Sequence, residues 1–184
     1  MWGAGRSTSF AREIKNKVNP IVWAARRPRR AKRSSPVKVD LKPGARTLNK
    51  RQDPLWKEAL ERIYPINKNF QEYGLIQPCH SPYNTPILLI KKPHSNEYQF
   101  VQNLRAINDI TQDIDPTVLN PYTLVNSTPR DYIWYSVSDL KDAFFCISVD
   151  QDFSQLFAFE WQDPESWVKT QYCWIVLPQG FKNS

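Results

Sequence analysis

Apolar and polar positions change period several times along the chain, and each change marks an element. Val37, Val39 and Leu41 alternate with Lys38, Asp40 and Lys42, which predicts a short strand that ends at the Pro43-Gly44 turn. Leu55, Ala59, Ile63 and Phe70 follow a helical spacing, with Gly74 as a stop. Pro65 lies inside that pattern and removes a backbone N–H, so the segment is either one kinked helix or two. Thr85–Lys92 is apolar until its two lysines, Pro93–Asn96 reads as a turn, and Glu97–Gln102 as the returning arm of a β-hairpin. Leu104–Asn108 reads as a short helix and Asp115–Tyr122, with its two prolines, as a loop. Tyr132–Val137 and Phe144–Val149 read as strands. Leu156–Trp161 and Thr170–Leu177 read as a second pair, closed by Pro178-Gln179-Gly180. The order is mixed α+β with hairpins and no regular βαβ alternation.

Charge changes this picture at the N-terminus. Residues 1–51 hold 15 Lys and Arg against Glu13 and Asp40, a net of +13, while residues 52–184 hold 10 against 16 acids, a net of −6. The basic excess is therefore local, and Arg26, Arg27, Arg29, Arg30, Lys32 and Arg33 are its centre. Like charges and prolines together predict a disordered or extended arm over residues 1–35. Such an arm can contact nucleic-acid phosphates or act as a nuclear-import signal; the plainer reading is a solvated tail. No apolar run approaches the ~18 residues of a membrane span, and Met1–Phe10 has no apolar signal region. Cys79, Cys146 and Cys173 are odd in number and far apart, as expected of reduced thiols in an intracellular protein, cytoplasmic or nuclear. With only His80 and His94 beside them, a structural zinc site is not expected.

Three segments carry a family resemblance. One is Ser81-Pro82-Tyr83-Asn84-Thr85-Pro86 with Lys91-Lys92-Pro93; the second is Asn120-Pro121-Tyr122-Thr123-Leu124 with Ser138-Asp139-Leu140-Lys141-Asp142-Ala143-Phe144-Phe145. The third is Leu156-Phe157-Ala158-Phe159-Glu160-Trp161 with Leu177-Pro178-Gln179-Gly180-Phe181-Lys182-Asn183-Ser184. In this order and spacing they resemble the fingers and upper palm of reverse transcriptases from gammaretroviruses and related endogenous retroviruses. The resemblance implies an α+β fold, the fingers and incomplete palm of a right-hand polymerase over residues 36–184. Fingers would occupy about 48–113 and 151–180, and palm about 114–150. It implies RNA-directed DNA polymerisation with Mg²⁺, with an RNA or DNA template-primer and deoxynucleoside triphosphates as partners. Asp139 would hold a metal, helped by the Leu140 carbonyl; hard cations take carboxylate oxygens, and a strand end before a turn presents one. Lys92 would neutralise the γ-phosphate, Asp142 would hydrogen-bond near the triphosphate, Phe144 would exclude a 2′-hydroxyl, and Gln179 would lie near the nascent pair.

The chain departs from the family pattern at Gln99, where an arginine is usual, and at Asn103, where an aspartate is usual. Loss of a charged hydrogen bond at Gln99 costs roughly 1.5–3 kcal/mol, so nucleotide affinity is expected to fall about tenfold or more. The family's second aspartate motif, its thumb and its ribonuclease H domain have no counterpart in these 184 residues. The 184 residues alone are therefore expected to be inactive as a polymerase. The alternative is a non-catalytic nucleic-acid-binding remnant that uses the basic arm. No membrane association and no specific protein partner are inferred.

Overall fold

The computed structural model describes residues 16–20, 23, 27, 28, 30–93, 98–114, 120–129, 131 and 139–184. Helix α1, Lys57–Glu72, is followed by strands β1 (Ile76–Pro78), β2 (Ile87–Lys91) and β3 (Tyr98–Gln102). Two short helices come next, α2 (Arg105–Ile110) and α3 (Pro121–Ser127), then a 3-10 turn over Ala143–Cys146. Helix α4 (Gln151–Ser154) leads through a second 3-10 turn into β4 (Ala158–Gln162) and β5 (Lys169–Trp174). The strands form two antiparallel sheets: a three-stranded one in the order β1-β5-β4, and the β2–β3 hairpin.

In α1 a single face is buried, through Ala59, Leu60, Ile63 and Asn67, while Glu58–Arg62 and Lys57–Glu61 ion pairs line the wet side. The helix runs unbroken through Pro65, so the two-helix alternative is not what forms. Pro65 is exposed, which leaves the carbonyl it cannot serve on the hydrated side. Gly74, at φ 62°, ends the helix: its N–H donates to the Gln71 carbonyl and the Leu75 N–H to the Phe70 carbonyl. Those two bonds form the Schellman closure that glycine permits.

The hairpin appears where the apolar run predicted it, with Ile87 facing Gln102 and Lys91 facing Tyr98 across the ladder. Ile87 and Leu89 point inward, and Leu88 and Ile90 outward. The residues of its tip, 94–97, lie outside the described set. β4 and β5 pair as expected, but Leu156 and Phe157 belong to the 3-10 turn before β4, and β5 ends at Trp174, with Val176 beyond it making only an isolated bridge to Ser148. Strand β1 was missed; it is only Ile76–Pro78, too short to show a period and closed by a proline.

Other expectations need correction. Val37–Leu41 is not a strand within a sheet: Val37 bridges Val149, Leu41 bridges Thr111, and Val39 is buried between them. Tyr122 does not belong to a loop. The Asn120 side chain accepts from the Tyr122 N–H and Pro121 occupies the first turn, where its missing N–H costs nothing, so a helix starts there. Phe144–Cys146 is a 3-10 turn, because Asp142 adopts a left-handed backbone (φ 54°) and its carbonyl accepts from the Phe145 N–H. Extended pairing begins only at Ser148 and Val149. Tyr132–Val137 lies outside the described residues.

The core is aromatic. Trp174 stacks on Phe145 with centroids 5.4 Å apart and packs against Phe70 at 5.0 Å, while Phe100 meets Phe70 edge-on at 5.4 Å. At its centre lies a buried carboxamide. Gln102 Nε2 donates to Thr85 Oγ1 at 2.7 Å and to the Phe157 and Ala158 carbonyls, and its Oε1 accepts from Trp174 Nε1 at 2.8 Å. Gln102 thereby fastens the hairpin to the three-stranded sheet.

Replacing Gly74 by alanine would force a side chain into the left-handed region with nothing in the way but its own backbone. A loss of about 1 kcal/mol in urea unfolding is expected.

Candidate nucleotide cleft

The union of the two sheets leaves a cleft of about 290 Å³. Its floor is apolar: Phe70 from α1, Phe100 from β3, Phe145 from the 3-10 turn and Trp174 from β5. Its polar rim comes from four separate places in the sequence. Lys92 follows β2, Gln99 projects from the exposed side of β3, Asp142 occupies the left-handed turn, and Gln179 follows β5. Gln99 Nε2 donates to Gln179 Oε1 at 3.1 Å, which links the hairpin to the loop after β5.

Each rim residue is held by local structure. Antiparallel register sets Gln99 opposite Ile90 and so puts it on the outer face of the hairpin. Gln179 lies in a turn closed by Gly180 at φ 91°. That turn is anchored beyond it: Lys182 Nζ donates to the Thr111 carbonyl at 2.6 Å and to Asp113 Oδ1 at 2.7 Å, and Asn108 Nδ2 donates to the Gly180 carbonyl. The Lys182 ammonium holds the Asp113 carboxyl below its ordinary range. Arg62 lies over the Tyr98 ring at 4.3 Å, next to the cleft's Tyr98 wall.

The other residues singled out in the sequence are placed differently. Phe144 is about one-third exposed and adjoins the cleft through its neighbour Phe145, without lining it. Asp139 and Leu140 are exposed and do not line the cleft. No group of three His, Cys, Asp or Glu side chains gathers among the described residues, so those residues do not by themselves fit a closed metal centre. Asn103, in place of the family's usual aspartate, accepts from the Arg105 backbone N–H at 3.3 Å. Cys79, Cys146 and Cys173 are free thiols.

Of the basic arm, Arg26 and Arg29 lie outside the described residues. Arg30 turns onto the body: it donates to Ser148 Oγ at 2.8 Å, to the Ile175 carbonyl at 3.2 Å and to the Gly74 carbonyl at 2.7 Å. Partial burial, and then the charge of Arg27, push its pKa down from the ordinary arginine value. Arg27 donates to the Tyr73 carbonyl at 3.4 Å, whereas Lys32 and Arg33 are exposed. The arginines at 27 and 30 therefore contact protein carbonyls, a use that charge counting could not reveal. Sequence reading also missed the aromatic floor and Gln102, since an isolated glutamine gives no signal of burial.

The helices, hairpin and antiparallel sheet around the cleft make a mixed helix-and-strand fold, in keeping with the α+β class expected from the sequence. The family model of reverse transcriptase (RNA-dependent DNA polymerase) matches residues 90–184, and the chain belongs to that family. It is 52% identical over 166 residues to the Gag-Pol polyprotein of Gibbon ape leukemia virus, covering 90% of this chain and 10% of that protein. It is 50% identical to the Gag-Pol polyprotein of Koala retrovirus over the same shares. It is also 50% identical over 155 residues to the Pol polyprotein of Feline endogenous virus ECE1, covering 84% of this chain and 15% of that protein. The chain thus spans only about a tenth to a seventh of the length of these relatives. Among the described residues no helix is long and apolar enough to cross a membrane.

Lys182→Met tests the anchoring of the rim. It removes the cation that depresses Asp113, so the Asp113 pKa measured by carboxyl NMR titration should rise toward the ordinary aspartate value. The sign follows from the depressed pKa: the pair contributes above the unfolded-state pKa and is lost as pH falls through the lower folded value. Wild type should therefore lose this contribution in acid, while K182M should lack it at every pH.

Proposed function

We propose that the cleft is the deoxynucleoside triphosphate site of an RNA-directed DNA polymerase, and that these residues form its fingers and the front of its palm. One observation carries the reading: Lys92, Gln99, Asp142 and Gln179, chosen from distant points in the sequence, line one cleft. Lys92 would take the phosphates as a point charge. Gln99 and Gln179, bridged by their carboxamides, would face the base and sugar. The apolar floor would exclude water beneath them. Phe144, beside the cleft, would set the preference for deoxyribose.

Asp139, with the Leu140 carbonyl, would hold Mg²⁺, which when bound activates the primer hydroxyl and stabilises the leaving pyrophosphate. A metal pair needs further carboxylates, and the 184 residues taken alone offer Asp139 for that role. Template and primer would run past the cleft, with the exposed Lys32 and Arg33 available to phosphates.

Calorimetric titration of the 184-residue polypeptide with dTTP tests the cleft. Lys92→Ala should weaken binding about tenfold, and Gln99→Arg should strengthen it about tenfold, because a charged hydrogen bond is lost in one and gained in the other. Equal affinity in all three proteins would remove the cleft as the nucleotide site. On poly(rA)/oligo(dT) the same polypeptide should extend no primer. Extension that Asp139→Asn abolishes would show that one aspartate suffices and that this account of the metal pair is wrong.

A further inference from the structure

Strand register brings two of the three thiols together. Gln77 faces Cys173 across the β1–β5 ladder and Pro78 faces Tyr172, while the Cys79 N–H donates to the Gln171 carbonyl at 2.9 Å. Cys79 therefore stands opposite Gln171, two residues along β5 from Cys173. Side chains two residues apart share a face of a strand, so Cys79 and Cys173 are diagonal neighbours on one face of the sheet. The Cys79 thiol hydrogen-bonds to the Cys173 sulfur. Cys173 is buried, at 1% exposure, with its sulfur 3.8 Å from Gln77 Nε2 and 3.8 Å from Ser154 Oγ. Cys79 is half-buried and sits just beyond the end of β1, between the exposed Pro78 and His80. Cys146 lies elsewhere and donates to the Asp142 carbonyl at 3.6 Å.

The two sulfurs suit different steps of one reaction. An oxidant arriving from solvent meets Cys79 first, because Cys173 has almost no exposed surface. Cys173 suits the second step. Its hydrogen bond with Cys79 pulls its pKa down against the opposing effect of burial, and Ser154 and Gln77 add to that pull. Cys79, as the donor, is pushed up, so excess oxidant is needed at neutral pH. In the first step the Cys79 thiolate attacks hydrogen peroxide: an S–O bond forms, the O–O bond breaks, and hydroxide leaves and takes up the thiol proton. In the second, the Cys173 thiolate attacks the Cys79 sulfenic sulfur: the S–S bond forms, the S–O bond breaks, and hydroxide leaves as water with the second thiol proton. The thiols give up two electrons and two protons, and the peroxide becomes two waters.

Closing this bond has a mechanical consequence. Diagonal partners have Cα atoms roughly 7–8 Å apart, just beyond the roughly 4.4–6.8 Å that a disulfide spans. β1 must shift along β5 to close it, and a bond formed that way is readily reduced. Trp174 follows Cys173 on the opposite face of β5, donates to Gln102 Oε1 and forms the cleft floor. We propose that Cys79 and Cys173 form a reversible thiol–disulfide switch, closed by a peroxide and reopened by a small thiol, whose closure displaces Trp174. The proposal does not rest on the nucleotide reading of the cleft.

The test is treatment of the 184-residue protein with excess hydrogen peroxide, followed by alkylation of the remaining thiols, peptide mapping and NMR of the Trp174 indole N–H. Wild type should lose the mass of two hydrogens, yield a Cys79–Cys173 peptide pair and shift the Trp174 signal. Reduced glutathione should restore both mass and signal. Cys146→Ser should behave in the same way. Cys79→Ser, a change at a half-buried position, should form no internal link and keep the Trp174 signal of the reduced protein under peroxide; Cys173→Ala should also form none. The proposal is overturned if the mapped link includes Cys146, if peroxide yields only sulfinic or sulfonic acids that glutathione does not reverse, if C79S shifts Trp174 as wild type does, or if the Cys79–Cys173 link forms and the Trp174 signal stays in place.

Discussion

The buried carboxamide of Gln102 is where the two halves of this structure are joined. A two-stranded hairpin is marginal in water by itself and needs a surface to pack on. Here β3 ends in a side chain that reaches Thr85, the Phe157 and Ala158 carbonyls and the Trp174 indole at once. Each of those groups is at or near full burial and would cost roughly 1–3 kcal/mol if left unsatisfied. A fully satisfied polar group of this kind also specifies geometry, since an apolar contact tolerates sliding and a four-way hydrogen bond does not. The hairpin is therefore docked in one register.

That register determines the cleft. With Gln102 fixed, Phe100 turns into the aromatic cluster and Gln99 turns outward, one residue apart on opposite faces of the strand. Trp174, held by the same carboxamide, forms the floor from the other sheet. The loop after β5 then carries Gln179 back to Gln99. A second tie comes from the chain before α1. Its backbone pairs in turn with Cys146, Ser148, Ile110 and Asn84, and Arg30 bonds the Gly74 carbonyl before β1 and the Ile175 carbonyl after β5. Two of the basic residues, Arg27 and Arg30, are thus engaged with the body.

Much of this was legible in the sequence, and for identifiable reasons. The hairpin at Thr85–Gln102 and the β4–β5 pair showed because apolar runs bounded by turn residues have few other solutions. The rim residues showed only through family resemblance; nothing in the period of the chain distinguishes Gln179 from a surface glutamine. Phe144–Cys146 was misread because four apolar residues in succession, Phe144–Ile147, suit a strand, and the left-handed backbone of Asp142 has no signature in composition. Tyr122 was misread because Pro121 was taken as a breaker where it acts as a first-turn residue. Gln102 and Asn84 were invisible for a common reason: burial of a polar side chain depends on partners brought from 17 to 72 residues away in one case and 34 in the other.

The dependence of the cleft on the buried carboxamide is open to direct measurement. Gln102→Met keeps the length of the side chain and removes its four hydrogen bonds. Urea unfolding and dTTP titration of that variant should show a loss of about 3 kcal/mol in stability together with a clear loss of nucleotide affinity, even where the protein is still folded. A variant as stable as wild type, or one that is destabilised yet binds dTTP unchanged, would contradict the claim that Gln102 sets the cleft.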